Sequence, residues 1–453
     1  MENKRGGFAS RLGFILSMAA FCIGIGNLWK FPYVVGNNGG GAFLIVYLIL
    51  VIIIGIPAIL IETTLGRTAQ LSPAAGMRKL EGKEKTLWSG IGWLGTAAIF
   101  IICSYATMIV GGWSGGYIIK ILNGSMKTAG PDEIAAIFGE FAGSPWVIVL
   151  AAVQAILLWL CLCAGLKKGV EKVSKVLLPA LLITMILLAI YANTLDGAFE
   201  GLKWYLTPDF SKITIGTIAI AGMQIFYSIG IGQTGAFVYG SYISKETNLV
   251  SSMSTTALVD TFVAVLAGVL CVPALFAFNM EPTAGPSLIF ITLPQLFNNM
   301  GGFGMVFGVL FMLCVYVAGF TSILGGSEAM VASLNDSKGV DRKKAATGIV
   351  IAEFIFSILF TMSFGTGKLA QIKILNLGFF DFFDFVASFF MCLGAVAMFA
   401  YVATRWGFKK FQTEANAGAT GKIRIHGWMK WYLYTVFPLV LLFIVYSIIT
   451  SYF

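Results

Sequence analysis

The sequence predicts an all-α membrane protein that crosses the bilayer with eleven helices. Of its 453 residues, 58% are hydrophobic and only 11% are charged, whereas a soluble domain carries about 25% charged residues. The run GAFLIVYLILVIIIGIPAILI, residues 41–61, has no charge over 21 positions, and a helix needs about 20 apolar residues to cross the hydrocarbon. We therefore expect most of the surface to face the lipid bilayer.

The apolar runs predict helices rather than strands. Backbone groups in lipid must bond within a helix or a closed barrel, and the alternation typical of barrel strands is absent. The first apolar run continues to about residue 35 without a small-residue cleavage site, so we interpret it as a retained span and not as a signal peptide. The predicted spans are 11–36, 41–66, 88–122, 145–165, 173–193, 214–241, 250–279, 302–334, 344–364, 375–404 and 429–451.

The net charge of +9 is distributed as membrane topology requires. With the N-terminus inside, the inside segments hold 23 Lys and Arg residues and the outside segments hold 6. This bias follows the positive-inside rule and explains the basic charge without nucleic acid as a partner. It predicts a multi-pass membrane protein with a cytoplasmic N-terminus and an extracellular C-terminus.

The segments between the spans give two further expectations. The proline-containing outside loop 280–301 is expected to fold back as a short helical cap, and the inside stretch Thr413–Gly421 is typical of a flexible loop. The seven cysteines lie mostly in apolar stretches, and His426 is the single histidine. Disulfide-scaffold and zinc-type sites are therefore weak interpretations.

An internal repeat marks a candidate binding site. The tetrapeptide IGIG occurs at 23–26 in span 1 and at 229–232 in span 6, 206 residues apart, and a polar amide follows each copy. Five spans separate the copies, so the two halves would have opposite topology. Glycine-interrupted spans at matching positions of two halves point to a transporter binding site. The alternative is close helix packing, which also favours glycine.

Several polar residues inside spans are candidate ion ligands or structural groups. Acidic residues at membrane depth are costly and point to function. Asp260 has no basic neighbour on its own helix and needs a cation, such as sodium, or a proton. Glu62 can bond to broken backbone, and Glu353 can simply face a neighbouring helix. The other acids predicted within spans are Glu328 and Asp384.

Two hydroxyls in span 8 and four charged residues complete the candidates. Thr321 and Ser322 offer the oxygen ligands that hard cations prefer, although such hydroxyls commonly bond to their own helix. Lys30 and Asp384, with Asp381 nearby, can form an ion pair that closes one side of the site. Arg5 and Asp336 can do so on the other side. The alternative for these charges is anchoring at the membrane interface.

The stretch RLGFILSMAAFCIGIGNLWKFPYVVGNNGGGAF, residues 11–43, resembles the signature of the sodium-dependent neurotransmitter symporters and their bacterial amino-acid members. The similarity runs from about residue 5 to 450. It implies the LeuT-like fold, with a 5+5 inverted repeat and unwound helices 1 and 6. The first repeat would cover 1–193 and the inverted second repeat 194–404, with an inner loop and helix 11 in 405–453.

The resemblance also implies two sodium sites. The first would use the Cys22 carbonyl, Asn27, Ser228 and Asp260 together with the substrate carboxylate. The second would use the carbonyls of Ala20, Ile23 and Ala318 with the hydroxyls of Thr321 and Ser322. Gly169 and Pro179 resemble a family feature of span 5 that is linked to inner opening.

The resemblance further implies the substrate site and its gates. The amino-acid backbone would lie against Gly24, Ile25 and Gly26, and Tyr227 would be an aromatic lid. Lys30 with Asp384 would form the outer gate, and Arg5 with Asp336, near Ser241 and Tyr242, the inner gate. The substrate-binding residues implied overall are Cys22, Gly24, Ile25, Gly26, Tyr105, Thr107, Tyr227, Ser228, Gly230, Gly232, Ser322, Gly325 and Gly326.

Four differences from the family pattern shape the expected activity. Lys30 replaces the usual gate arginine, which removes a bidentate pair. The family's carboxylate-binding tyrosine of span 3 aligns with Thr107, and Tyr105 is the nearest tyrosine. Asp260 replaces an asparagine of chloride-dependent relatives, which predicts chloride independence. Gly230, Gly325 and Gly326 replace bulkier residues, which predicts a roomy pocket for aliphatic and aromatic side chains.

The sequence thus predicts sodium-coupled symport of hydrophobic L-amino acids, including leucine and tryptophan, by alternating access. A monomer is expected to suffice for transport. A channel is the first alternative, but gates on both sides argue against an open pore. An enzyme is the second, but no nucleophile with a base is evident. A receptor that binds without transporting is the third.

Overall fold

The computed structural model describes residues 7–28, 30–127, 129–280, 288–365, 368–419, 421 and 423–452. Within these ranges nine helices are long and apolar enough to cross a membrane: Gly41–Ala69, Leu87–Leu122, Pro145–Cys163, Leu166–Ala192, Leu249–Ala277, Gly301–Lys338, Arg342–Met362, Phe379–Trp406 and Met429–Thr450. We number them spans 2–5 and 7–11. Two shorter apolar helices, Arg11–Cys22 and Ile215–Ile229, begin spans 1 and 6.

Spans 1 and 6 are interrupted helices. Span 1 continues after Cys22 as Ile25–Leu28 and Lys30–Asn37, and span 6 continues after Ile229 as Gly235–Gly240. The prediction of eleven spans with helices 1 and 6 unwound is confirmed. The repeat boundaries at residues 193 and 404 stay a prediction.

Burial separates central spans from peripheral ones. The most apolar windows of spans 3 and 7 are 67% buried, whereas that of span 11 is 28% buried. Large apolar side chains such as Ile156, Leu187 and Leu439 are exposed on spans 4, 5 and 11, as expected for helices whose outer faces meet lipid. Spans 3 and 7 are consequently the most interior of the nine long spans.

Short elements join the spans. Between them lie the helices Pro73–Glu81, Pro131–Ala142, Ala198–Leu206, Leu293–Asn299 and Phe408–Ala415, and a hairpin pairs Lys373–Ile374 with Leu377–Gly378. The described part of the predicted cap 280–301 is helical from Leu288 to Asn299 and its apolar residues are mostly buried. Residues 281–287 lie outside the described residues.

The expectation of a flexible loop over Thr413–Gly421 is wrong for its first part, because Thr413–Ala415 end the helix Phe408–Ala415. Phe408, Phe411 and Ala415 are buried against the core. The fully buried Arg67 guanidinium binds Glu414 with an Nε–Oε1 distance of 2.9 Å. This ion pair and the buried apolar side chains hold the end of the helix in place, although its small polar residues are typical of a flexible loop.

Candidate functional site

The helix breaks in spans 1 and 6 expose backbone groups in the interior. Ile23 is extended, with φ −70° and ψ 102°. Gly230 and Gly232 have φ values of +69° and +80°, a left-handed conformation that glycine adopts without steric cost. The Gly232 N–H donates to the Glu62 carboxylate over 2.6 Å. Glu62 therefore binds the broken backbone of span 6, as the sequence suggested.

A buried polar cluster of Asn27, Ser228 and Asp260 joins the breaks to span 7. The Asn27 amide nitrogen donates to Asp260 Oδ1 over 2.8 Å and to Ser228 Oγ over 3.1 Å. Ser228 Oγ donates to Asp260 Oδ2 over 2.6 Å. No lysine or arginine of the described residues forms an ion pair with Asp260. We call these residues the sodium cluster, because they are the three side chains that the resemblance implies for the first sodium site.

The second implied sodium site lies where spans 1 and 8 pack together. The Thr321 hydroxyl donates to the carbonyls of Val317 and Ala318, over 3.0 and 3.2 Å, which is the bonding within one helix that the alternative interpretation expected. Ser322 instead donates across to the Phe21 carbonyl of span 1 over 2.8 Å. The carbonyl-bearing residues Ala20 and Ile23 are fully buried. Oxygen atoms of the kind that bind cations are thus concentrated here, on spans 1 and 8.

A cavity of about 240 Å³ lies between the two breaks. Nine of the implied substrate-binding residues line it: Cys22, Gly24, Ile25, Gly26, Tyr105, Tyr227, Ser228, Gly230 and Ser322. Asn27 of the sodium cluster also lines it, and Lys30 and Asp384 do so at one end. The structure therefore brings the breaks, the sodium cluster and the predicted gate residues to one space.

Four implied substrate-binding residues do not line the cavity. Gly325 packs under Phe21, so that an added Cβ would lie 2.8 Å from the Phe21 Cβ, and Gly326 packs behind Cys103. Gly232 faces the Met391 carbonyl of span 10, and Thr107 is buried elsewhere on span 3. Gly325 and Gly326 therefore shape the wall from behind. Of the two span 3 residues considered for the substrate carboxylate, Tyr105 lines the cavity and Thr107 does not.

Sequence reasoning missed much of the cavity wall. Span 3 supplies Ile99, Ile102, Cys103, Ala106 and Ile109. Their spacing of three and four residues is the period of one helix face, which was the available signal. The other missed residues are Phe21, Gln224, Gln233, Gly319, Ile323 and Phe380.

Lys30 and Asp384 do not form the predicted ion pair. The Asp384 carboxylate accepts hydrogen bonds from Tyr105 on Oδ1 over 3.0 Å and from Tyr452 on Oδ2 over 2.7 Å. The Lys30 ammonium instead lies 4.9 Å from the centre of the Tyr227 ring, a favourable cation–π distance. The two tyrosine hydroxyls occupy the oxygens that the lysine was expected to bind.

The predicted gate on the opposite side is described in part, since Arg5 lies outside the described residues. Asp336 Oδ2 accepts a hydrogen bond from the Ser72 N–H over 2.6 Å. Nearby, Tyr242 donates to the buried Glu328 over 2.9 Å, and Arg342 pairs with Glu328 over 2.5 Å. Ser241 bonds within its own turn. This side holds a network of Tyr242, Glu328 and Arg342, with the Glu328 carboxylate fully buried, that the sequence did not predict.

Comparison with known proteins identifies the family of the chain. Residues 5–129 and 138–453 match the Sodium:neurotransmitter symporter family. The chain is 32% identical to the uncharacterized sodium-dependent transporter YhdH of Bacillus subtilis, over 99% of this chain and 98% of the relative. It is 30% identical to an uncharacterized sodium-dependent transporter of Methanocaldococcus jannaschii, over 98% of this chain and 90% of that one.

A solved structure gives the same result for the fold. The crystal structure of MhsT in complex with L-phenylalanine matches with a TM-score of 0.86 and 33% identity, covering 98% of this chain and 99% of that one. The overall match of the sequence suggested MhsT itself within the family, and the chain is similar to MhsT in sequence, at 33% identity, and in fold.

Proposed function

The chain belongs to the sodium:neurotransmitter symporter family, whose members found here are transporters and not enzymes, and on this premise we propose that it is a sodium-coupled symporter of hydrophobic L-amino acids. The observation that carries the proposal is the sodium cluster at the edge of the cavity between the helix breaks. The proposed substrates are aliphatic and aromatic, and include leucine and tryptophan.

The geometry of Asp260 supports sodium as its counter-ion. Both carboxylate oxygens accept hydrogen bonds, Oδ1 from Asn27 and Oδ2 from Ser228, an arrangement that suits an ionised carboxylate because a protonated one must donate from one oxygen. A buried unpaired carboxylate costs several kcal/mol. Carboxylate and hydroxyl oxygens are ligands for hard cations, so a sodium ion at this cluster removes the cost.

Coupling follows from the same charges. The zwitterion would place its carboxylate beside the freed backbone of Gly24, Ile25 and Gly26, next to the sodium cluster. Two carboxylates about 4 Å apart repel by roughly 4 kcal/mol at an effective dielectric constant of 20, and a sodium ion between them reverses the sign of the interaction. Substrate binding therefore requires sodium at this site, with a second sodium ion proposed at Ala20, Ile23, Ala318, Thr321 and Ser322.

The apolar wall supports broad side-chain selectivity. The apolar wall places no strong hydrogen-bonding group against the substrate side chain. It includes Ile99, Cys103, Ala106 and Ile323. An apolar pocket discriminates by only about 1–3 kcal/mol per methylene. The relative MhsT was solved with L-phenylalanine, a side chain intermediate in size between leucine and tryptophan.

Asp260 also underlies the proposed chloride independence. A fixed carboxylate at the sodium cluster supplies the negative charge that a bound chloride would otherwise supply. We place the Lys30 and Asp384 end of the cavity outside and the Asp336 end in the bacterial cytoplasm, in agreement with the bias of Lys and Arg. Each monomer contains a complete site and is proposed to transport alone.

The test is uptake of labelled leucine and tryptophan into liposomes that contain the purified protein. We expect accumulation driven by an inward sodium gradient, none with potassium, and the same rate when gluconate replaces chloride. Single-channel currents would favour a channel, and sodium-dependent binding without accumulation would favour a receptor. Uptake that stops in gluconate would overturn chloride independence alone. Absence of both binding and uptake for all hydrophobic amino acids would overturn the proposed substrates.

A further inference from the structure

Tyr452 reaches the gate end of the cavity from span 11. The helix Val436–Thr450 ends two residues earlier, and Tyr452 is half-buried. Its hydroxyl donates to Asp384 Oδ2 over 2.7 Å and lies 3.0 Å from both Ser388 Oγ and the Tyr227 hydroxyl. Its ring lies 5.3 Å from the Phe385 ring. A span that is otherwise mostly exposed thus sends one polar group into the interior.

These contacts connect four spans around the Asp384 carboxylate and the Ser388 hydroxyl. Tyr105 of span 3 binds Asp384 of span 10 over 3.0 Å, Tyr227 of span 6 bonds to Ser388 of span 10, and Tyr452 contacts both groups. We call Tyr105, Tyr227, Asp384, Ser388 and Tyr452 the Asp384 cluster. Tyr227 and Tyr105 line the cavity, so the cluster holds the wall residues of this end in place.

The cluster also bears on the position of the Lys30 ammonium. Each Asp384 oxygen already has a tyrosine hydroxyl, and the lysine lies over the Tyr227 ring. Without the Tyr452 hydroxyl, Oδ2 would lose its donor, and Tyr227 would lose one of its two hydroxyl partners. Ser388 would keep its bond to the Asp384 carbonyl.

We propose that Tyr452 is a latch of the outer gate, a positioning residue that holds Asp384 and the lid Tyr227 in the closed arrangement. The latch must release before the cavity opens on this side, so movement of the end of span 11 is part of outward opening. This inference rests on the proposed function for the name of the side and for the gate itself. The physical claim is that one hydroxyl on span 11 stabilises the closed form.

Tyr452→Phe is the informative variant, since it removes the hydroxyl and keeps the ring against Phe385. A hydrogen bond to a charged group is typically worth enough to shift an equilibrium by roughly tenfold. The matched control is Tyr446→Phe, because Tyr446 lies on the same span and is 67% exposed. Each variant loses one tyrosine hydroxyl, from within span 11 for Tyr446 and from just after it for Tyr452.

Accessibility of Cys103 measures opening without any substrate. Cys103 is a free, buried thiol on the cavity wall, and its modification by an impermeant thiol reagent on intact cells can be counted by peptide mass spectrometry. We expect modification to be roughly tenfold faster in Tyr452→Phe and unchanged in Tyr446→Phe. An unchanged rate in Tyr452→Phe, or an equal increase in both variants, would overturn the latch.

Leucine dissociation provides a second readout. In saturating sodium, labelled leucine should leave purified Tyr452→Phe roughly tenfold faster than the wild type, while the sodium concentration for half-maximal binding stays the same because the sodium cluster is intact. A parallel loss of sodium affinity would indicate general structural damage and count against the latch. If the wild type binds no leucine, leucine is not a substrate, and the Cys103 experiment still decides the latch.

Discussion

Asn27 and Asp260 are 233 residues apart in the chain, and the side-chain amide of one donates to the carboxylate of the other over 2.8 Å in the interior. The contact joins the first helix break to the uninterrupted span 7. It fixes the position of a negative charge relative to the exposed backbone of span 1. The proposed sodium and substrate sites therefore share one direct contact between spans 1 and 7.

Replacing Asp260 by Asn should weaken sodium binding at least tenfold, which corresponds to about 1.4 kcal/mol, because it removes the charge and keeps the shape. Chloride should restore part of the loss, since a bound anion can replace the fixed charge. Sodium titration of thermal stability, in chloride and in gluconate, measures both effects.

Glu353→Gln is the control for that experiment. Glu353 is also a buried acid, and it accepts a hydrogen bond from Ser327 over 2.7 Å, outside the residues that line the cavity. Its sodium titration should match the wild type. Equal loss in both variants would mean that any buried charge matters, and the assignment of Asp260 to sodium would fail.

The unwound helices could be predicted from sequence because their signals are local. Glycines at residues 24, 26, 230 and 232 are unfavourable in helix interiors and therefore mark interruptions in apolar runs. An acid such as Asp260 is costly inside the bilayer and therefore marks a functional position. Each signal needs only the residue and its neighbours. The same is true of the eleven spans, whose length is set by the membrane.

Partner choice could not be predicted in the same way. Lys30 and Asp384 were a plausible pair by charge, but Tyr105 and Tyr452 decide the outcome from two other spans. An apolar residue such as Ile102 has the same character whether it faces lipid, core or cavity. The helix that ends at Ala415 could not be predicted from its own residues. Its ion-pair partner, Arg67, is 347 residues away from Glu414 in the chain.

Gly325→Ala should shrink the pocket and shift selectivity towards small side chains. The new Cβ would lie 2.8 Å from the Phe21 Cβ and 2.9 Å from the Tyr239 hydroxyl, so Phe21 must move towards the cavity that it lines. Tryptophan affinity should fall more than tenfold, and leucine affinity by less. Competition binding against labelled leucine measures the ratio.

Gly348→Ala is the matched control for pocket size. Its new Cβ meets no atom within 4 Å, and Gly348 lies on span 9, away from the residues that line the cavity. Tryptophan and leucine should bind as in the wild type. If Gly325→Ala reduces both affinities by the same factor, the effect is on folding or on the sodium cluster and not on pocket volume.

Glu62→Ala should destabilise the protein by about 1–3 kcal/mol, because the buried Gly232 N–H loses its carboxylate partner. Glu62→Gln keeps an acceptor oxygen and should lose less. Thermal unfolding in detergent separates the two variants. Equal melting temperatures for Ala and Gln would show that the hydrogen bond to the break contributes nothing measurable.

Glu171→Ala should loosen the beginning of span 1. The buried Glu171 carboxylate accepts from the Ala9 N–H over 2.7 Å on Oε2 and pairs with Lys175 over 2.6 Å on Oε1. Removing it frees the segment before Arg11 from span 5, so hydrogen exchange at residues 7–14 should accelerate, and the cytoplasmic side should open more often. Lys175→Met is the control, since it removes the ion pair within span 5 and leaves the hydrogen bond to Ala9. Faster exchange in Lys175→Met to the same extent would assign the effect to the ion pair, and the Ala9 contact would then have no part in closing this end.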